Sequence, residues 1–597
     1  MLQSSHIYYY MKNSSNRILI ISTFLAAAGA PDSFPIIVRS AIIGIAVSSC
    51  FCLVLYDRWI RQFCTIDQTK RIDKSNFLAL VLITIPIAIR CAHGTWTNLL
   101  FDSIAYAGCV CLIAFGASAR IEPLSQKLPI RFIKWLFPAM LVAYFVVVGI
   151  QLTSSYYAYS SEWLDFSYEF APVWQNFRHG LFRIINEFSQ ETSVLRYHWP
   201  LIYVFISPLT VFFKTPVSVL WISTFFFAAS AYTVYLLAHF YTQSKSKSAL
   251  IGCIYLLYLP LHLANLYDFH SDPLAMPFIF LSFLFAAQKK WPYYWGTVAL
   301  ALICKEYVGL LYLGFGIWLA FKDKKTGIIT SLIGLVWFLI IVIIGIPHFN
   351  HGAQPLVIMS NYGDMGGNKG MAKMFTYAIM HPSLIAVKLF RQNNIVAMLS
   401  MLLPFLFFPL LRPWVLFGGI FICIKNALSA SGIELLAHHE TLFFPFIMYG
   451  FILYISSVHQ SSWRFRMIAV AIAVSTTFLL QGHVFPARGF WLLKNLYTKS
   501  THDRICDKIL YKIPADASVM SSSHLAPHLM ARQWYFLFPR FDTPVKPKYV
   551  VVDTLEQADW NWLPRKEHQD GFWRIKESKD YDCIEHDDGV FLFKIRR

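Results

Sequence analysis

Fifteen apolar runs, most of them close to the length of a helix that crosses a bilayer, constrain this chain more than any other feature. A crossing helix needs about 20 apolar residues. Runs of that kind fall at 18–34, 36–56, 77–93, 98–118, 131–151, 217–240, 249–265, 273–288, 292–304, 307–321, 327–347, 394–411, 414–430, 441–457 and 467–482. Composition agrees, since 56% of the residues are hydrophobic and 14% charged, against about 25% charged in soluble domains. The pattern predicts an all-α polytopic membrane protein. The excess of 51 Lys and Arg over 33 Asp and Glu does not argue for nucleic acid, because the bases sit in short loops between apolar runs and read as orientation signals.

Those signals fall on one face: Arg58, Arg61, Lys70, Arg71 and Lys74; Arg120, Lys127, Arg131 and Lys134; Lys245 and Lys247; Lys289 and Lys290; Lys322, Lys324 and Lys325; Arg412; Arg464 and Arg466. The positive-inside rule makes that face cytoplasmic, with Lys388 and Arg391 as the main exception. The run 200–213 is too short to cross, at about 21 Å of helix, and reads as a re-entrant or interfacial segment. Near the start, Ala28-Gly29-Ala30 resembles a signal-peptide cleavage site, but Pro31 disfavours cutting, which leaves an uncleaved first span. Fifteen spans put the N-terminus in the cytoplasm of what reads as a bacterial inner membrane, and residues 483–597 outside it.

The outer face then collects the polar residues: the loop 152–199, the run Tyr267-Asp268-Phe269-His270-Ser271-Asp272, the turn Lys305-Glu306, the loop 348–381, and the segment from Glu434 to Glu440. Beyond 483 charge becomes frequent and apolar runs shorten to strand length at 517–521, 549–553 and 590–595, the last after the turn Asp587-Asp588-Gly589. A small α/β domain outside the membrane is expected there. The chain thus divides into N-terminal helices (1–130), a transmembrane core (131–482) and this domain (483–597). Nine of the eleven cysteines lie in the first 423 residues, mostly within apolar runs, as packing groups; Cys506 and Cys583 are in polar sequence and could pair in an oxidising compartment.

Chemistry concentrates at a few outer-face positions. Lys305 and Glu306 stand between two short apolar runs, so their turn lies below the headgroups, where each charge costs about 2.5–3.5 kcal/mol unless it faces a polar cavity or partner. They either neutralise each other, or Lys305 meets an anion while Glu306 holds it or binds a cation. Lys425, near the outer end of its helix, either snorkels to the interface or joins Lys305, His438 and His439 in a cationic pocket for phosphate. Neighbouring helical residues point about 100° apart, so one of the two histidines shares a given site more easily than both. Asp165, bracketed by Leu164 and Phe166, is either a helix cap or a carboxylate whose burial would suit it to accept a proton; Glu169 follows one turn later. The two carboxylates of the run from Tyr267, Asp268 and Asp272, with His270 could bind a divalent cation or form a plain polar turn. Arg196 and His198, in the long outer loop, complete the candidate ligand-binding groups. No nucleotide-binding fingerprint or HExxH motif occurs.

Several motifs in order carry a family resemblance: Leu164-Asp165-Phe166, Tyr197-His198-Trp199-Pro200, Tyr267-Asp268-Phe269-His270, Cys304-Lys305-Glu306, Tyr362-Gly363 with Gly366, His438-His439 before Pro445-Phe446, Ile513-Pro514-Ala515-Asp516-Ala517-Ser518-Val519, and Pro527-His528-Leu529. Together they resemble the bacterial predicted-membrane-protein family known as domain of unknown function 2079, over about residues 131–597. That family is similar to the GT-C glycosyltransferases, which take a sugar from a polyprenyl-phosphate carrier on the outer face. The resemblance implies a GT-C-like helical core, a polyprenyl-phosphate-linked sugar donor held among membrane lipids, and a catalytic acid at Asp165. Here Asp165-Phe166-Ser167 replaces the Asp-Leu-Gly common in the family. An Asp-x-Asp or Glu-x-Asp pair is missing from the loop, which leaves a metal requirement open. The competing classes are a transporter or flippase and a protein that binds lipid-linked glycan without catalysis.

Overall fold

The computed structural model describes residues 130–458 apart from 162, 214, 353–360, 368–370 and 434–437, a few positions from 467 to 475, and 498–596 apart from 557–563. The expected spans at 18–34, 36–56, 77–93 and 98–118 lie outside the described residues, as does most of 467–482. The chain forms two compact units, 1–128 with 460–491 and 129–459 with 492–597. The second holds nearly all the described residues.

Helix α1 (Ile130–Tyr157) has 28 residues, about 42 Å of helix. Its sequence is apolar on every side, so burial splits it into two stripes: Phe137, Tyr144, Val148 and Leu152 pack inward, while Trp135, Val142, Val146 and Ile150 remain exposed. The outer loop then forms α2 (Trp163–Gln175) and an antiparallel pair, β1 (Arg183–Ile185) with β2 (Glu191–Ser193). The carboxylate of Glu187 anchors the loop by accepting from the Tyr168 and Tyr197 hydroxyls. The run 200–213 forms the ten-residue helix α3 (Tyr203–Phe212), too short to cross a bilayer.

The remaining helices are α4 (Val217–Thr242), α5 (Lys245–Leu256), α6 (Leu259–Leu266), α7 (Met276–Ala287), α8 (Trp291–Leu302), α9 (Val308–Ala320) and α10 (Lys324–Leu339). The last continues through a wider turn at Ile340–Gly345 to Phe349. Among the described residues, Trp135–Tyr157, Val217–Thr242 and Lys324–Phe349 are long and apolar enough to cross a membrane, and α5 with α6 makes a fourth if that pair, bent by 49°, counts as one span. Pro260 in the first turn of α6 removes a backbone donor and starts a new helix axis. The helices α9 and α10 approach closely through glycines: a Cβ on Gly309 would meet the Gly334 carbonyl at 2.6 Å, and one on Gly316 the Ser331 amide at 2.4 Å.

Two expected spans are interrupted. The run 394–411 forms α11 (Gln392–Leu402) and then single turns at Leu403–Phe405 and Phe408–Leu411, broken at Pro404 and Pro409. The run 414–430 splits into α12 (Pro413–Phe417) and α13 (Ile420–Leu428) at Gly418-Gly419. Both breaks follow from residues that remove a donor or weaken a helix interior. The basic residues that depart from the orientation pattern have structural work here. Arg391 donates to the carbonyls of Ala427, Ser429 and Ala430 at the end of α13, and Lys388 pairs with Asp364, the usual satisfaction of a helix C-terminus by basic side chains. Helix α14 (Phe444–Ser457) closes the core.

The C-terminal segment folds as an α/β domain. Its sheet runs β4-β3-β5-β7-β6, with β3 (Val519–Ser521) parallel to β4 (Tyr535–Leu537) and β5 (Tyr549–Asp553), and β7 (Val590–Ile595) antiparallel to β5 and to β6 (Tyr581–Asp587). The β6–β7 hairpin turns at Asp588 (φ 41°) and Gly589 (φ 81°), the positive-φ pair that a two-residue hairpin demands. Helix α15 (Thr501–Leu510) opens the domain with a Ser500–Asp503 capping box, and α16 (Arg565–Lys576) packs Phe572 and Ile575 against Met520, Val550, Val552 and Phe593. The domain rests on the outer loop: Gln175 donates to the Arg532 carbonyl at 2.8 Å, Arg183 to the Gln533 carbonyl at 2.8 Å, and Tyr156 to the Pro527 carbonyl at 3.0 Å. Cys506 is buried and Cys583 exposed, both as free thiols.

Candidate functional site

The short helices α8 and α9 turn into each other at Cys304-Lys305-Glu306, and that turn is the centre of a buried ionic cluster. Lys305, 2% exposed, places its ammonium 3.3 Å from Glu169 Oε1 and 3.3 Å from Asp272 Oδ2. Asp272 Oδ2 also meets His438 Nδ1 at 3.0 Å. Glu306, fully buried, meets His198 Nδ1 at 2.8 Å and accepts the Trp199 amide at 3.1 Å. Lys305 and Glu306 therefore do not neutralise each other as an isolated turn; each is matched by groups from α2, the outer loop, the turn before α7, and the segment before α14. A charge buried this deeply persists only with such partners.

Glu169 stands apart in one respect. Its Oε1 is held by Lys305, while its buried Oε2 has no hydrogen-bond partner among the described residues. Burial raises its pKa, and Lys305 only partly offsets that. A buried acceptor left unpaired is uncommon in a folded protein.

Aromatic rings continue the cluster to the surface. The imidazoles of His270 and His438 stack with centroids 3.5 Å apart, Tyr267 lies 5.4 Å from His270 and 5.7 Å from His438, and His439 lies 4.0 Å beyond His438. At one end of this stack the Tyr267 hydroxyl donates to Asp165 Oδ2 at 3.1 Å. At the other end is His439, the exposed member, with the Lys425 ammonium among its electrostatic neighbours. Both histidines thus join one site, because they sit on a tight single turn, His438–Glu440, rather than an α-helix. Lys425 does not reach away from the protein: its ammonium lies 4.0 Å from the centre of the Tyr307 ring, a cation–π contact. Its backbone is held by the Tyr362 hydroxyl, which donates to the Lys425 carbonyl at 3.0 Å.

Asp165, in the first turn of α2 and half-buried, is one turn from Glu169 on the same face. Arg196 is not brought to the cluster; it donates to Asn350 at 2.8 Å and ties the outer loop to the end of the α10 segment. Asp268 is buried at a strained backbone position (φ 90°) in the loop that presents His270. Sequence reasoning read Asp272 only as a second carboxylate beside Asp268 for a cation, not as the carboxylate shared by Lys305 and His438, and gave no role to Glu440, which accepts from Asn426. The available signal was Asp272-Pro273 opening an apolar helix. Asp272 is committed to Lys305 and His438. Among the described residues, three side chains bring metal-ligand atoms within 4.8 Å of one another in the C-terminal domain, at His502, Cys506 and His524.

A helical core with helices long and apolar enough to cross a membrane, a buried ionic cluster and a C-terminal α/β domain together define the class of protein. The chain belongs to the family described as predicted membrane protein (DUF2079), which it matches over residues 175–592. No curated protein matches. Among solved structures, the chain is similar to ArnT from Cupriavidus metallidurans bound to undecaprenyl phosphate, at 10% identity and a TM-score of 0.41, over 76% of this chain and 97% of that one.

Proposed function

We propose that this protein is a GT-C-like glycosyltransferase that moves a sugar from a polyprenyl-phosphate carrier to an acceptor on the non-cytoplasmic face of the membrane. The observation that carries the reading is the aromatic stack that joins Asp165 at one end to His439 and Lys425 at the other. Lys305 faces two carboxylates at 3.3 Å, whereas among the described residues the Lys425 ammonium forms no salt bridge and lies over the Tyr307 ring. In this reading Lys425 and His439 hold the donor phosphate by charge-assisted hydrogen bonds, and the buried cluster around Lys305 fixes them relative to α2.

Asp165 accepts the proton of the acceptor hydroxyl as that oxygen attacks the anomeric carbon and the phosphate–sugar bond breaks. The Tyr267 hydroxyl orients the carboxylate. Glu169, buried and one turn deeper, supports the Lys305 position; it is the replacement base if Asp165 proves dispensable. The exposed apolar stripes of α1 and of α10, at Ile328, Leu332 and Val336, suit contact with acyl chains.

The test is transfer itself. Protein purified in detergent is supplied with polyprenyl-phosphate donors carrying radiolabelled hexoses or pentoses, together with an envelope extract as acceptor. The reading expects label to leave the lipid fraction only with active protein. Binding of donor without any transfer across the donor panel contradicts it and points to a glycan-binding role; protein-dependent movement of labelled donor across a vesicle bilayer points to a flippase.

A further inference from the structure

A second cluster of chemically able side chains lies in the C-terminal domain. Helix α15 carries His502 and Cys506 four residues apart, hence on one face. His524 comes from the turn Ser523–Leu525, and Asp553 is the last residue of β5. One ligand atom from each of His502, Cys506 and His524 lies within 4.8 Å of the others. Asp553 Oδ2 is 2.9 Å from His502 Nε2 and 3.1 Å from His524 Nε2.

We propose that His502 Nε2, Cys506 Sγ, His524 Nε2 and Asp553 Oδ2 hold a structural zinc ion. The donor set fits: zinc takes imidazole nitrogen, thiolate and carboxylate oxygen in a tetrahedron, and one thiolate with one carboxylate cancels its charge. Bonds of about 2.0 Å separate neighbouring nitrogen and oxygen donors by about 3.3 Å in a tetrahedron, so the Asp553–imidazole spacings of 2.9 and 3.1 Å fit with shifts of a few tenths of an ångström, and Asp553 closes the tetrahedron by turning toward Cys506.

The surroundings supply an independent argument. A histidine that binds a metal through one ring nitrogen usually gives the N–H of the other to a carboxylate. Here His502 Nδ1 is 3.0 Å from Asp588 Oδ2, and His524 Nδ1 is 3.6 Å from Glu556 Oε1. The His502 ring therefore has a carboxylate on its outer nitrogen, His524 Nδ1 has no hydrogen-bond partner among the described residues, and both Nε2 atoms converge on Asp553 Oδ2. A Cys–His–Asp nucleophilic centre fits poorly, because Cys506 is 1% exposed and no substrate carbonyl could reach its sulfur. The His502 side chain, 23% exposed, leaves an entry path for an ion.

With four protein donors the site is closed, so its work is structural. It ties α15, the turn Ser523–Leu525 and the end of β5 together where the domain meets the end of α1: Tyr159 donates to Asp507 at 3.1 Å, and its ring lies 6.3 Å from His524. The ion thereby fixes the surface on which the domain docks.

The full-length protein, purified in detergent without chelator, is expected to carry about one zinc per chain by elemental analysis. After chelation and reloading with cobalt, it should show a thiolate-to-cobalt charge-transfer band and tetrahedral visible bands. Cys506→Ser and Asp553→Asn should each remove or shift those bands, while Cys583→Ser leaves them intact. The proposal is overturned if stripped wild-type protein shows no thiolate–cobalt band, if the band survives in Cys506→Ser, or if bound metal is lost in Asp272→Asn and retained in the Cys506 and Asp553 variants. The wild-type cobalt spectrum decides even if a variant fails to fold.

Discussion

Replacing Lys305 with Met keeps the length of the side chain and removes its charge, leaving Glu169 and Asp272 buried without their shared counter-ion. At an effective dielectric of about 20, each 3.3 Å contact is worth about 5 kcal/mol before desolvation, and most of that gain is offset by the cost of taking the charges out of water. Breaking such a set from one side typically costs about 3–5 kcal/mol. Protonation caps the loss: at pH 7 a carboxyl with an ordinary pKa of about 4.3 takes up a proton for about 3.7 kcal/mol, and at pH 5 for about 1 kcal/mol. The sign follows from linkage. In the variant the folded-state carboxyl pKa rises further, so the destabilisation is present above the unfolded value and is relieved as pH falls toward it. Unfolding of detergent-purified protein in a graded denaturant, followed by tryptophan fluorescence, should show a loss of about 3–4 kcal/mol at pH 7, where the protonation cap holds it, that shrinks at pH 5. Adding Asp272→Asn should recover at least about 1 kcal/mol, since the two sites are in contact. A variant within about 0.5 kcal/mol of wild type at both pH values, the ordinary range for surface changes, would refute the ionic account of the cluster.

Lys425→Met should weaken binding of a polyprenyl-phosphate donor by about 1.5–3 kcal/mol, the loss of a charged hydrogen bond, measured by displacement of a labelled donor; unchanged affinity removes Lys425 from the site. Tyr267→Phe deletes the hydroxyl that holds Asp165 and should lower turnover about 5-fold, equivalent to about 1 kcal/mol, with donor affinity preserved; an equal fall in affinity would place Tyr267 against the donor instead. A C-terminal alkaline phosphatase fusion should be active and a green fluorescent fusion dark, and the reverse pattern overturns the orientation drawn from the basic loops.

The core helices were legible because their apolar runs are long, and the turn at Lys305-Glu306 because charge between two short apolar runs demands partners. The identity of those partners was not legible: Glu169, Asp272 and His438 are brought to Lys305 from three distant segments, and sequence spacing carries no record of that meeting. Continuous spans at 394–411 and 414–430 were expected from hydropathy alone, although Pro404, Pro409 and Gly418-Gly419 marked the breaks. In the C-terminal domain, β5 and β7 announced themselves by apolar runs and the Asp588-Gly589 turn. The edge strand β6 did not, since Asp582, Glu585, His586 and Asp587 give it little apolar pattern, and β4 has only three residues. The donors at His502, Cys506, His524 and Asp553 come from two helical turns and a strand end, so only folding shows that they converge.

The central claim, that Asp165 accepts a proton during sugar transfer, is tested most directly by the turnover of Asp165→Asn in the purified transfer assay, with donor binding measured on the same sample. Asn keeps the size and the Tyr267 contact but cannot take the proton, so turnover should fall about 10²–10⁴-fold, the contribution of a positioned general base, while donor affinity stays at the wild-type value. Turnover near wild type in the Asn variant, alongside a large loss in Glu169→Gln, would contradict the assignment and move the base one turn deeper into the cluster.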